Sequence, residues 1–85
     1  ISLVAGDSDA AARAQHARDR MATLTPRERD VALAVGRGQA NAEIAAALHL
    51  SVPTVKAHVS RLLDKLDAGN RVQIALVVKD ACGHR

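Results

Sequence analysis

Five residues within one short stretch carry side chains that can contact nucleic acid together. They are Thr54, Lys56, Ala57, Ser60 and Arg61. Lysine and arginine bind phosphate or guanine, a serine hydroxyl bonds to several bases, and an alanine methyl suits the methyl group of thymine. At about 100° per residue, Ala57, Ser60 and Arg61 share one face of a helix, with Lys56 on its flank. The spacing predicts a helix that presents this face to the major groove of double-stranded DNA.

The residues between these contacts predict how the helix is held. A stripe of helical period runs along its other side through Val55, Val59, Leu62 and Leu66. Ser51 is a good N-cap, and Pro53 is tolerated because the first turn has no intrahelical use for its N–H. We therefore expect a helix from Val52 to Leu66 that is buried on one side only.

A second, shorter helix is predicted just before this one. It runs from about Ala42 to Leu48, with Ile44, Ala45 and Leu48 as its buried face. His49 and Leu50 make a short turn between the two helices. Two amphipathic helices joined by a tight turn are typical of a helix-turn-helix, in which the second helix enters the groove.

The composition favours one small helical domain. The chain has 85 residues and no Phe, Tyr or Trp, so its core must be aliphatic. No alternating β-branched run with hairpin turns is present, and the predicted fold class is all-α. Proteins that bind single-stranded nucleic acid usually stack its bases on aromatic rings, which this chain lacks. Double-stranded DNA is the better candidate because hydrogen bonds and phosphate contacts suffice to recognise it.

The net charge of +3 is unevenly distributed along the chain. Acidic and basic residues cancel over residues 1–50. Residues 51–66 carry Lys56, Arg61 and Lys65 against Asp64, so the excess begins in the predicted recognition helix. Phosphate binding requires such an excess. A charge of +3 is also ordinary for a soluble domain, so the charge alone carries little weight.

Residues 1–23 are expected to form a linker segment that is partly helical, and residues 24–85 the helix-turn-helix domain. Good helix formers run from Ala10 to Met21, but their apolar face is thin, which leaves this linker helix free to pack elsewhere in a longer protein. The first residue is Ile1 rather than Met, which suggests a fragment. A receiver or ligand-binding sensor domain is the expected N-terminal partner.

The domain's first and last helices have clear start signals. Thr25 and Glu28 form a capping box around Pro26, and this helix is expected to run to about Val35 before Gly36 and Gly38. Asn70 is expected to cap a last helix that reaches about Ala81.

The last helix carries two apolar faces. One face is expected to pack on the core and groups Ile74, Ala75, Val78 and Cys82. A second stripe, more than 90° away, is formed by Val72, Leu76 and the stem of Lys79. A terminal helix that only covers a core needs one stripe, so the second favours a homodimer contact. The alternative is that Val72 and Leu76 are partly buried against the preceding loop.

These residues together resemble the LuxR/FixJ/NarL-type helix-turn-helix domain, the output module of many bacterial response regulators. The resemblance covers Leu24 to about Val78. It rests on LTPRERDV, Gly38 with NAEIA, L-x-L-S-x-x-T-V-K-x-H-V, KL and NRVQIA, in that order and at the right spacing.

The resemblance implies a four-helix domain, preceded here by the linker helix, that binds DNA as a dimer on paired half-sites. The family's base- and phosphate-contacting positions fall on Lys56, Ala57 and Ser60, with Thr54 and Asn41 near the DNA backbone. Its dimer face falls on the second stripe of the last helix. The implied protein is a cytoplasmic transcription regulator of a two-component system.

Several positions depart from the family pattern. Ala57 and Ser60 stand where relatives often carry longer polar residues, so more of the base contact is expected from Lys56 and Arg61. Ala40 stands where Ser or Thr is common, which shifts the expected cap of the scaffold helix to Asn41. Leu33 occupies a position that is usually polar, so it is a candidate contact with another domain.

Two other interpretations remain open. A promoter-recognition domain like that of a sigma factor shares the E-I-A and T-V-K pattern. A helical protein-interaction module with no DNA function is the second alternative. The last helix disfavours the first alternative, and the positive recognition helix disfavours the second.

Catalysis, cofactors and metal are not expected. Asp80, Cys82 and His84 are too loosely spaced for a metal site. Gly36 and Gly38 follow a predicted helix rather than a strand, which is the wrong context for nucleotide binding. No Ser/His/Asp or Cys/His set shares an element. No apolar run approaches the roughly 20 residues of a membrane span. The single cysteine fits a reducing cytosol.

Overall fold

The computed structural model describes residues 2–82, and the side chains of residues 11–82. Five helices account for all the regular secondary structure in this range: α1 Ser2–Met21, α2 Pro26–Gly36, α3 Asn41–Leu48, α4 Val52–Lys65 and α5 Arg71–Ala81. The predicted fold class is confirmed: four helices form an all-α domain and a further helix precedes them. None of the described helices has both the length and the apolar character that crossing a membrane requires.

Three helices begin at the caps that the sequence predicts. The Thr25 N–H donates to Oε1 of Glu28 over 2.9 Å, and the Glu28 N–H donates to Oγ1 of Thr25 over 3.2 Å, which is the expected capping box. Ser51 Oγ accepts the N–H of Thr54 at the start of α4. Oδ1 of Asn70 accepts the backbone N–H of Gln73, the third residue of α5. These local contacts fix where α2, α4 and α5 begin.

The start of α3 differs from the expectation. Ala40 is the N-cap and Asn41 is already the first helical residue, so the prediction that Asn41 caps this helix is wrong. Only half of a capping box forms at this helix. Oε1 of Glu43 accepts the Ala40 N–H over 2.7 Å, but the Ala40 methyl cannot accept a hydrogen bond in return. At its other end α3 stops at His49, whose left-handed φ of 59° reverses the chain towards α4.

The core is aliphatic, as the composition requires. Its largest fully buried side chains are Ile44, Leu62, Leu66, Ile74, Val31 and Val55. Helix α4 packs on α2, α3 and α5, while α2 also packs closely on α5. A Cβ added to Gly36 would lie 2.8 Å from Cγ1 of Val78, so this glycine permits the close approach of α2 and α5. This arrangement supports α4 from one side and leaves its other side in solvent.

Helix α1 packs on the rest of this chain although its apolar face is thin. It begins at Ser2 rather than near Ala10 and lies against α5. Ala17 and Met21 are buried, and Met21 joins the main core cluster. A face of one alanine and one methionine is therefore enough to dock the last turns of α1.

Candidate nucleic-acid interface

The outer surface of α4 holds the predicted contact residues. Thr54, Lys56, Ala57, Ser60 and Arg61 are all exposed. Val55, Leu62 and Leu66 on the opposite side are completely buried, and Val59 is half-buried. The predicted orientation of α4 is therefore confirmed. The structure also brings the five residues together on one exposed surface of the described chain.

Two basic side chains on this surface are free of acidic partners. Among residues 11–82, neither Lys56 nor Arg61 takes part in an ion pair. Asp64 and Asp67 are the acids nearest to Arg61 in the sequence, and Asp67 instead lies 3.6 Å from the guanidinium of Arg20. Lys56 and Arg61 thus keep their charge available for an external anion.

The hydroxyl of Thr54 is anchored within the first turn of α4. Its Oγ1 lies 2.8 Å from Oγ of Ser51, and either hydroxyl can donate in this bond. When Ser51 donates, the Thr54 hydroxyl keeps its own proton for a ligand. A small, fixed donor at a helix N-terminus suits a phosphate oxygen, because the helix dipole favours negative charge at this end.

Asn41 lies at the start of α3 and is half-buried. Its Oδ1 accepts a hydrogen bond of 2.6 Å from Nη1 of Arg71, the first residue of α5. Arg71 also donates through Nη2 to the carbonyl of Gln39. Since its oxygen is engaged in this way, the group that Asn41 can still offer to a ligand is its N–H donor. No local sequence pattern indicates Arg71, whose role depends on a contact across 30 residues.

Lys65 is exposed, but its charge is engaged in an ion pair, so it does not add to the free positive charge of α4. Its Nζ lies 2.8 Å from Oε1 of Glu28, a carboxylate that is only 3% exposed. The Lys65 hydrogen bond, followed by that of the Thr25 N–H, lowers the pKa of Glu28 against the opposing effect of burial. The positive charge that remains available on α4 therefore comes from Lys56 and Arg61.

The last turn of α4 is tied to the end of α1 as well. Nη1 of Arg20 donates to the carbonyl of Leu66 over 3.3 Å, and Nη2 of Arg20 lies 3.6 Å from Asp67. Asp67 has a left-handed φ of 52° just beyond the helix. A cation at this end also complements the helix dipole. Arg20 therefore fixes the end of α4 that does not carry the predicted DNA contacts.

His58 lies on the flank of α4, as its position in the helical projection predicts. The residue is half-buried, and among the described residues its buried Nδ1 has no hydrogen-bond partner. A ring that is turned towards the protein is better placed for packing than for contact with a base. This placement favours the structural role that we expected for His58.

The second stripe of α5 is exposed. Val72 and Leu76 are 67% and 54% exposed, and Lys79 beside them is exposed as well. The alternative that the preceding loop buries Val72 and Leu76 is therefore wrong. On the other face Ile74 and Val78 are buried as predicted, but Cys82 is not a core residue: it follows the last turn and is exposed.

Residues that can ligate metal do not cluster within the described part of the chain. Across that part, no group of three or more His, Cys, Asp or Glu side chains comes together. The weak candidate set named above includes His84, which lies outside the described residues.

The fold and the outer surface of α4 define the class of protein. A short helix, a tight turn and a second helix with an exposed polar face form a helix-turn-helix, and the chain is a DNA-binding domain of that class. A family model for bacterial regulatory proteins of the luxR family matches residues 22–78. The chain therefore belongs to the LuxR family of bacterial regulatory proteins, as its motifs indicate.

Curated relatives agree with this assignment. The chain is 55% identical over 53 residues to the uncharacterized transcriptional regulatory protein YhcZ of Bacillus subtilis. It is 43% identical over 53 residues to the response regulator protein VraR of Staphylococcus aureus, and equally to VraR of Staphylococcus saprophyticus. Each alignment covers 62% of this chain and 25% of the relative. The matched part thus spans about a quarter of the length of these relatives.

Proposed function

We propose that this domain binds specific sequences of double-stranded DNA by placing α4 in the major groove. The observation that carries the proposal is the exposed set of Lys56, Arg61 and their three neutral neighbours on one side of a helix whose other side is buried. Groove recognition needs this combination, because the helix must be held by the domain and still present its side chains to base edges. Its action is binding rather than catalysis.

The proposed contacts divide into base contacts and backbone contacts. Ala57 and Ser60 face the bases as a methyl group and a small hydroxyl, which discriminate weakly on their own. Lys56 and Arg61 add the charge and reach that guanine or phosphate requires. Sequence preference then depends partly on half-site spacing and on DNA shape.

Thr54 and Asn41 are assigned to the phosphate backbone. Both stand in the first turn of a helix, and both are held by an internal hydrogen bond, to Ser51 and to Arg71 respectively. Donors that are fixed before binding lose little conformational freedom when a phosphate arrives. These contacts set the position and orientation of α4 but do not distinguish bases.

The DNA-binding proposal is tested by removing Lys56. Lys56→Ala is expected to weaken binding to a duplex selected from a random library and to reduce the slope of log K against log salt by about 0.9, the value for one phosphate contact. Fluorescence anisotropy across a salt series measures both. Arg13→Ala is the matched control, because it removes one exposed positive charge from α1. If the two variants bind alike, Lys56 lies outside the interface.

The domain is also proposed to act as a homodimer through Val72, Leu76 and Lys79. Two exposed aliphatic side chains one turn apart on a terminal helix form an apolar surface that a second copy can cover. A two-fold dimer places two α4 helices on paired half-sites about one turn of DNA apart.

Leu76→Asp tests the dimer. The substitution is at an exposed position, so the variant should remain folded while a charge enters the proposed interface. Sedimentation equilibrium is expected to give a monomer, and binding to a two-half-site duplex should weaken. A folded variant that still dimerises would place the interface elsewhere.

The whole protein is proposed to be a two-component response regulator of which this chain is the C-terminal output domain. The support is that VraR is named a response regulator and that the chain aligns with a quarter of its length. A receiver domain is the favoured N-terminal partner, a ligand-binding sensor the alternative. The site of action is the cytoplasm, where bacterial DNA lies. Incubation of the complete protein with acetyl phosphate distinguishes these two alternatives. A receiver domain should become phosphorylated, which intact mass measures, and a ligand-binding sensor should not.

A further inference from the structure

A groove between α2 and α5 continues the exposed stripe of α5. The groove has a volume of about 470 Å³. On one side it is lined by Leu33 of α2 and by Arg37, which directly follows α2, and on the other side by Leu76 and Lys79 of α5. Val31 of α2 is completely buried. Leu33 lies on the opposite side of α2 and is only half-buried. The groove is thus an apolar surface with two cations at its rim.

Within residues 11–82, the charges at the rim lack acidic partners. Neither Arg37 nor Lys79 forms an ion pair among residues 11–82, and Arg37 has only a 3.3 Å hydrogen bond to Gln39. Asp80, which is exposed on α5, is equally unpaired in this range. Asp80 lies four residues after Leu76, so the two share one side of α5. A helix that inserts Leu76 into such a groove therefore also brings an aspartate to its cationic rim.

We infer that the occupant of this groove is α5 of a second copy of the chain, so that the dimer face includes α2. Leu76 of each copy packs on Leu33 of the other, and Asp80 of each copy pairs with Arg37 of the other. A two-fold axis makes both contacts twice. The inference rests on the homodimer proposed above and assigns it a geometry. Lys79 covers the rim with its aliphatic stem and keeps its ammonium group in solvent.

Size supports the contribution of α2. Stable protein interfaces bury roughly 800 Å² on each partner. Val72 and Leu76 are the large exposed apolar side chains of the described chain, and two residues from one helix fall well short of that area. Docking into the groove adds the surface of Leu33 and the end of α2. Helix α5 of each copy therefore docks into the groove of the other copy and also forms one wall of its own groove.

Charge reversal tests this geometry without disturbing the core. Arg37→Glu and Asp80→Arg change exposed residues, so both variants should fold. Each is expected to raise the dimer dissociation constant about tenfold, since each alters two symmetric pairs. The double variant should return to within about threefold of the wild-type constant, because it restores both pairs in the opposite sense. Sedimentation equilibrium of the 85-residue chain from about 10 μM to 1 mM gives the constants.

The controls separate the groove from the dimer itself. Arg13→Glu reverses an exposed charge on α1 and should leave the dissociation constant unchanged. If Leu76→Asp abolishes the dimer while both reversals behave like wild type, the groove has another occupant and this inference is overturned, although the dimer stands. A double variant as weak as the single ones also overturns the pairing. A wild-type chain that stays monomeric at about 1 mM overturns both the groove and the dimer.

Discussion

The two ends of α4 have similar residues but different surroundings. Near the start, Lys56 is exposed and has no acidic partner among residues 11–82. At the end, Lys65 is paired with the buried carboxylate of Glu28, and Arg20 holds the carbonyl of Leu66. One end is therefore available to a ligand and the other is attached to α1 and α2.

Under the proposed function, this difference separates recognition from support within a single helix. A helix that enters a groove must keep its position while its side chains exchange water for DNA. The buried stripe fixes the rotation of α4, and the ties at Lys65 and Leu66 fix its far end. The basic residues of α4 consequently differ in their surroundings, and counting them together overestimates the positive charge that is free for a ligand.

Lys65→Met gives the largest expected effect. It leaves Glu28 buried without its cation, which costs several kcal/mol for a fully buried pair. Because 38% of the Lys65 side chain is exposed, solvent reduces this cost, and we expect a loss of about 2 kcal/mol in the free energy of unfolding. Urea denaturation measures it. DNA affinity should change little at temperatures where the variant is fully folded.

Arg61→Met is the matched control, four residues earlier on the same helix. It removes an exposed cation that has no ion pair in the described range, so stability should change by less than about 0.5 kcal/mol while DNA binding weakens. A large loss of DNA affinity in Lys65→Met, or of stability in Arg61→Met, would contradict the division between the two ends.

The pH dependence of stability isolates the carboxylate at the attached end. The pKa of Glu28 lies below its ordinary value of 4.5, so its stabilising contribution is present above about pH 4.5 and is lost as the pH falls through the lowered pKa. Glu28→Gln lacks this contribution at every pH. The stability difference between wild type and Glu28→Gln should be constant near neutrality and shrink below about pH 4.5. A stability difference that instead grows in acid would show that the pKa of Glu28 is raised rather than lowered.

The sequence predicts the free end of α4 better than the attached end, for a physical reason. Caps and stripes depend on residues three or four positions apart, and Ser51 with Thr54 is recognisable from that spacing alone. The ties of Lys65 to Glu28 and of Arg71 to Asn41 join residues 37 and 30 positions apart. Pairings of this kind exist only once the helices have packed, so no local pattern indicates them.

Small side chains explain the other differences. The apolar face of α1 is thin, yet Ala17 and Met21 are both buried and the helix packs on α5. Asn41 looked like a cap because it is the only good capping residue near Ala40, but the helix begins one residue earlier. The Glu43 carboxylate then satisfies one backbone N–H in place of an N-cap side chain.

Arg20→Ala gives the smallest expected effect and tests whether α1 supports the attached end. Its side chain is 42% exposed and its partner Asp67 is 84% exposed, so we expect a loss of only about 0.5 kcal/mol in global stability. The local effect should be clearer, because the bond from Arg20 to the carbonyl of Leu66 closes the last turn of α4. Hydrogen exchange should therefore quicken at the amides of residues 64–68 and stay unchanged at residues 54–58. Arg18→Ala, which removes an exposed arginine whose side chain bonds to Gln15 of its own helix, is the control. Equal exchange in the two variants would show that α4 keeps its last turn without α1, and that the buried pair of Lys65 and Glu28 is sufficient to hold it.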